Sequence, residues 1–82
     1  MPTIIKMEER IVVNPKIMVG KPIIRGTRIP VDAILKRLAD GMSVGEILEE
    51  YPNLTGEDIR AALRYVSEVV AGEEIIPIME TA

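Results

Sequence analysis

The chain contains no cysteine, histidine, tryptophan or phenylalanine, and tyrosine occurs only twice. Each absence removes a class of chemistry. Without cysteine there is no disulfide, no thiolate nucleophile, and no thiolate ligand for zinc or an iron–sulfur cluster. Without histidine the chain lacks the usual general base near neutral pH and the commonest metal ligand. Two tyrosines offer almost no aromatic platform on which a base or sugar would stack. Carboxylates, Lys, Arg, Ser, Thr and Tyr remain, and of metal sites only a carboxylate cluster for magnesium is left open. No apolar run approaches the roughly 20 residues of a membrane-spanning helix. The N-terminus lacks the charged-then-apolar layout of a signal peptide. These features lead to the expectation of a soluble, cytoplasmic protein with no membrane partner.

What is present is aliphatic. Thirteen Ile stand among 82 residues, so the core must be built from Ile, Val and Leu. The length allows one domain. A domain of this size buries only about 60% of the surface exposed by its unfolded chain, so a second subunit supplying more core is expected. Net charge is −3, unevenly spread. Residues 1–37 carry eight Lys and Arg against Glu8, Glu9 and Asp32. Residues 38–82 carry Arg60 and Arg64 against ten carboxylates. Such a split suggests two faces with different partners, or opposite faces that attract within a fold or a dimer.

Residues 1–30 read as a strand-and-turn arm. Ile4-Ile5 and Ile11-Val12-Val13 are β-branched runs, and Asn14-Pro15 and Gly20-Lys21-Pro22 are breaks. Ile23-Ile24 and Arg28-Ile29 read as extended pieces joined by Arg25-Gly26-Thr27, a tight hairpin with Gly26 at positive φ. From Val31 the period becomes helical: Val31, Ile34, Leu35 and Leu38 share a face, and Gly41 suits the residue after the helix. Ser43-Val44-Gly45-Glu46 is a capping box opening a short helix that stops at Tyr51-Pro52. Thr55 caps a third helix, with Leu54 placed to staple onto Ile59. Its apolar stripe runs through Ile59, Ala62, Leu63, Val66, Val69 and Val70 to about residue 71. Residues 72–82 form a tail after the Gly72 stop, with Pro77 forbidding regular helix.

Three helices with a three-residue link, Gly41-Met42-Ser43, resemble a helix-turn-helix or homeodomain-like core. The segment from Asn14-Pro15 through Gly20-Lys21-Pro22-Ile23-Ile24-Arg25-Gly26-Thr27-Arg28-Ile29-Pro30-Val31 resembles the signature of the domain-of-unknown-function 433 family of small prokaryotic proteins. Gly41-Met42-Ser43, Ile47-Leu48, Tyr51-Pro52, Leu54-Thr55, Asp58-Ile59 and Ala61-Ala62-Leu63 follow its later pattern in order. The resemblance implies a strand-decorated helix-turn-helix domain, usually dimeric. It also implies an antitoxin that pairs with a PIN-like nuclease and represses its own operon. The expected fold is α+β, mainly α. It is one domain, with short N-terminal strands (1–30), a three-helix homeodomain-like core (31–71) and a C-terminal tail (72–82).

Three sets of residues are candidates for function. Lys21, Arg25 and Arg28 surround a turn and are placed to position phosphates; alternatively Arg25 or Arg28 pairs with Asp32 or Asp58 to hold the hairpin on the helices. Arg60 and Arg64 lie on the third helix, the recognition position for DNA, but Glu57 and Asp58 would meet the phosphate backbone with like charge. Glu73, Glu74, Ile75, Ile76, Ile78 and Met79 combine acidic and apolar character and suit a partner-protein groove, or an arm completing a homodimer. Val66, Val69 and Val70 are candidates for a dimer face. The carboxylates Glu46, Glu49, Glu50, Glu57, Asp58 and Glu68 read as caps and solvated faces, so no metal or other cofactor and no enzyme activity is expected. The leading expectation is an antitoxin-like homodimer that binds and neutralises a PIN-like ribonuclease and contacts operator DNA; the alternatives are a stand-alone DNA-binding regulator and a non-DNA oligomerising adaptor.

Overall fold

The computed structural model describes residues 6–72 and 75–79. Its element order is β1 (Lys6–Val13), β2 (Pro22–Ile24), α1 (Val31–Ala39), α2 (Val44–Glu50), α3 (Gly56–Val70) and β3 (Ile75–Met79). Three helices and a small three-stranded sheet make an α+β fold with strands at both ends of the chain.

β1 is the central strand, in the order β2-β1-β3. It pairs antiparallel with β2, Ile11 opposite Ile24 and Val12 opposite Ile23. It pairs parallel with β3, Lys6 opposite Ile75 and Val13 opposite Met79. That ladder breaks between Glu8 and Val12 of β1, next to Pro77, which has no amide hydrogen to donate and is at home only on an edge strand. The segment expected as a tail is thus partly a strand of the sheet. Glu73 and Glu74 lie outside the described residues, as do Ile4, Ile5 and residues 80–82.

Alternation along the strands decides what each face buries. Ile11 and Ile24 join Val31, Ile34, Ile47, Leu54, Ile59 and Ala62 in the main core. Val12 and Ile23 are also buried but lie outside that cluster, on the other face of the sheet. The hairpin after β2 forms as its residues dictate. Thr27 N–H donates to Ile24 O at 3.0 Å and Ile24 N–H to Ile29 O at 3.0 Å, with Gly26 at φ 80°. The Thr27 hydroxyl locks the turn, donating to Ile24 O at 2.7 Å and accepting from Ile29 N–H at 3.0 Å. Pro30 bridges back to Ile23 and is the N-cap of α1.

The helix boundaries follow from their caps. At the end of α1, Gly41 has φ 90°, its N–H reaches Leu38 O, and Met42 N–H reaches Arg37 O. This is a Schellman closure, for which glycine is the low-strain residue. Ser43 and Glu46 form a reciprocal capping box at α2, and Thr55 and Asp58 form another at α3. Leu54 and Ile59, both buried in one cluster, sit at the two positions of a hydrophobic staple.

Candidate functional site

The cations sort by whether a carboxylate holds them. Lys21 Nζ lies 3.2 Å from Asp32 Oδ2, between two exposed side chains. Arg60 donates from Nε and Nη2 to Glu57 Oε2 at 3.0 and 2.8 Å. Arg64 reaches Glu57 Oε1 at 3.1 Å and Glu8 Oε2 at 3.4 Å, bridging α3 to β1. Arg37 grips Glu50 with Nε and Nη2 at 3.1 and 2.7 Å, and its guanidinium lies 4.8 Å from the centre of the Tyr51 ring. Among the cations with described side chains, Lys16, Arg25, Arg28 and Lys36 have no ion pair with a described residue.

Of the five residues suggested for DNA, then, three are held by carboxylates and two, Arg25 and Arg28, are exposed and unheld. The alternative pairing of Arg25 or Arg28 with Asp32 or Asp58 does not occur. Lys21 occupies Asp32 instead. Asp58 lies at the first turn of α3, where Arg10 of β1 reaches it at 2.9 Å.

These contacts set the acidities. Hydrogen bonds from Arg60 and then Arg64 hold the Glu57 carboxyl below its ordinary range. The hydrogen bond from Arg37 lowers that of Glu50. The Ser43 backbone N–H, and secondarily its hydroxyl, lower that of Glu46. The Glu57 contact raises the Arg64 guanidinium further above its ordinary value. All these groups are ionised at neutral pH and none is poised as an acid or base. Among the described residues no three carboxylates gather in a way that would hold a metal ion.

Two concave regions among the described residues bear on function. One is an open cleft of about 520 Å³ lined by Ile17, Gly26, Thr27, Arg28 and Asn53. It lies where three loops converge: the turn after β1, the hairpin after β2, and the link between α2 and α3. The other is an apolar groove of about 230 Å³ between β2, α1 and α3, lined chiefly by Pro22, Val31, Leu35, Tyr65 and Val66, with Lys21 and Asp32 also lining it.

Exposed apolar side chains gather toward the C-terminal end of the described chain. Val69 and Val70 at the end of α3 are 52% and 81% exposed. Ile76 is exposed and Met79 is 60% exposed on β3. Val66 packs against the core instead, and Ile75 and Ile78 are half-buried. β3 is an edge strand, and its outer side has no strand partner among the described residues. On the opposite edge, residues 29 and 30 cover β2 through the Ile24–Ile29 hydrogen bond and the Pro30 bridge.

Sequence reasoning missed several of these features. Arg10 gave no sign that it would meet Asp58, 48 positions away. Asn53 and Ile17 meet the hairpin only through tertiary structure. Val19 is 96% exposed and Met18 and Val19 have φ 53° and 56°, a left-handed conformation that a β-branched residue rarely adopts.

The comparisons with known proteins agree with the signature. The model of a family described as "Protein of unknown function (DUF433)" matches residues 11–66. An uncharacterized Sinorhizobium fredii protein, y4eO, is 44% identical over 52 residues, covering 63% of this chain and 24% of that protein. An uncharacterized Archaeoglobus fulgidus protein is 76% identical over 25 residues, covering 30% of this chain and 69% of that one. The crystal structure of a DUF433 member from Anabaena variabilis superposes with a TM-score of 0.72 at 34% identity, over 78% of this chain and 63% of that one. The chain therefore spans about a quarter of the first curated relative and under two thirds of the solved one.

Proposed function

As the chain belongs to the DUF433 family, we propose that it is a binding module of the antitoxin type, without catalysis of its own, that holds a PIN-like ribonuclease along strand β3. The observation that supports this reading is the state of β3. It is an edge strand with an open outer side among the described residues, and Ile76 and Met79 are exposed on it. An open edge accepts an extended segment through main-chain hydrogen bonds, while alternate side chains fill pockets. Val69 and Val70, exposed at the end of the helix that packs against β3, extend the same apolar character. Each large apolar side chain left in water forgoes roughly 1.5–3 kcal/mol, so burial of this patch favours a complex. The homodimer is the competing occupant, because a second β3 or the Val66, Val69 and Val70 side of α3 would cover the same atoms. Co-purification with the product of the adjacent gene, with the stoichiometry read by light scattering and its ribonuclease activity assayed, tests the reading. A stable hetero-complex supports it. A homodimer that ignores the nuclease favours the adaptor reading.

A second reading, DNA binding, is supported by Arg25 and Arg28, which no described carboxylate holds. A homeodomain-like use of α3 as the recognition helix is less well supported. Its Arg60 and Arg64 are engaged by Glu57, and Glu57 and Asp58 occupy its first turn. DNA contact on this reading runs through the hairpin.

A further inference from the structure

We propose that the three-loop cleft lined by Ile17, Gly26, Thr27, Arg28 and Asn53 is a phosphate-binding site. The inference deepens the second reading above and rests on the same unheld hairpin cations.

Four observations converge on the cleft. First, charge: the chain is net −3, yet none of the described carboxylates lines this cleft. Of the four cations that have no ion pair among the described residues, Arg28 lines it, and Lys16 and Arg25 each adjoin one of its lining residues in sequence. The described carboxylates lie elsewhere, and Asp58, Asp32, Glu50 and Glu57 neutralise Arg10, Lys21, Arg37, Arg60 and Arg64. Second, donors: the backbone N–H groups of Gly26 and Arg28 have no hydrogen-bond partner among the described residues. Turn amides left open in this way, beside a guanidinium, form an anion-binding concavity. Asn53 lines the cleft from the opposite loop, and its side chain carries an amide that is a neutral donor.

Third, rigidity: Thr27 does not compete for the ligand, because its hydroxyl is committed on both sides within the turn. The turn is thereby fixed before any ligand arrives. Fourth, access: a Cβ built at Gly26 would meet nothing within 4 Å, so the backbone there is open to close approach. A tetrahedral oxyanion suits this donor set better than a planar carboxylate does, because the donors come from two different loops and not from one planar fork.

Both tyrosines lie elsewhere, Tyr51 against Arg37 and Tyr65 beside the apolar groove. No aromatic ring is available at the cleft to stack a base. A nucleic acid would therefore be held by its backbone, without sequence preference from this site. The phosphate has two sources, free phosphate or the phosphodiester backbone of duplex DNA, and two measurements separate them.

In the first, inorganic phosphate is titrated into the full chain while backbone amide resonances are followed. The proposal expects saturable shifts at Gly26, Arg28 and Asn53, lost in Arg28→Gln. In the second, a short mixed-sequence DNA duplex is bound at several salt concentrations. The proposal expects Arg28→Gln to lower the slope of log K against log salt by about one unit, and Lys36→Gln, which removes an unpaired cation outside the cleft, to leave it nearly unchanged. Arg28 is exposed and unpaired, so its variant stays folded. Phosphate shifts at the cleft without duplex binding uphold the site, make free phosphate its ligand and end the DNA reading. Duplex binding that Arg28→Gln leaves intact keeps the DNA reading and overturns the site. Failure of phosphate to move the Gly26 and Arg28 amides also overturns it.

Discussion

Arg10 Nη1 lies 2.9 Å from Asp58 Oδ1, and the second oxygen of the same carboxylate accepts the Thr55 backbone N–H at 3.0 Å. One buried side chain therefore caps α3 and ties it to the central strand. A second link runs in the opposite sense of charge, from Arg64 of α3 to Glu8 of β1. Together they fix the helix to the sheet on which both proposed surfaces depend.

Asp58→Ala removes both roles. Loss of a capping interaction costs about 1 kcal/mol and loss of a charge-assisted hydrogen bond about 1.5–3 kcal/mol. Destabilisation of about 2–4 kcal/mol is expected, read as a fall in Tm of 10 °C or more for a chain this short. Arg10→Met keeps the cap and should cost less. Equal melting temperatures for Asp58→Ala and the parent would mean that the link carries no stability.

Acid stability follows from Glu46, Glu50 and Glu57. Their folded values lie below the ordinary glutamate value of 4.5. The unfolded chain then binds more protons in that range, so stability rises with pH. The contribution is complete above the unfolded value and is lost as pH falls through the lower folded ones. Denaturant melts between pH 5 and pH 2 should show a slope that Glu50→Gln makes shallower. Because the groups are exposed, high salt should weaken the effect.

Val19 is left-handed and almost fully exposed. A non-glycine residue there costs roughly 1–2 kcal/mol, partly offset by the greater freedom of glycine in the unfolded chain. Val19→Gly should therefore raise Tm slightly, whereas Gly41→Ala, in the opposite situation at φ 90°, should lower it. A fall in Tm for Val19→Gly would show that the side chain makes contacts in solution that offset its strain.

Local signals carried far in this chain. The caps at Ser43 and Thr55, the stop at Gly41, the turn at Gly26 and the inward face of α1 were all legible, because each depends on neighbours within a few residues. Non-local pairing was not. The parallel ladder of β3 with β1 joins Ile75 to Lys6 across three helices, and no short-range pattern encodes it. Apolar residues around Pro77 read equally well as a free arm or an edge strand. At the candidate sites, residue type marked Arg25 and Arg28, but only the fold shows that Lys21, Arg60 and Arg64 are engaged and that Asn53 faces the hairpin across a cleft.

Because β3 belongs to the sheet, removing residues 73–82 confounds binding with folding. Ile76 and Met79 offer a cleaner probe, since both are exposed. The variant Ile76→Lys/Met79→Lys should melt close to the parent and lose whatever complex β3 makes, because Lys on an edge strand discourages strand addition. A large fall in Tm would place these side chains inside a homodimer core instead.

The most direct measurement is RNA cleavage by the PIN-like ribonuclease that co-purifies with this chain, titrated with the parent protein and with Ile76→Lys/Met79→Lys. The proposed function expects the parent to silence cleavage at a fixed stoichiometry and the folded double variant to leave it running. Cleavage unaffected by the parent, or silenced equally by the variant, would contradict it.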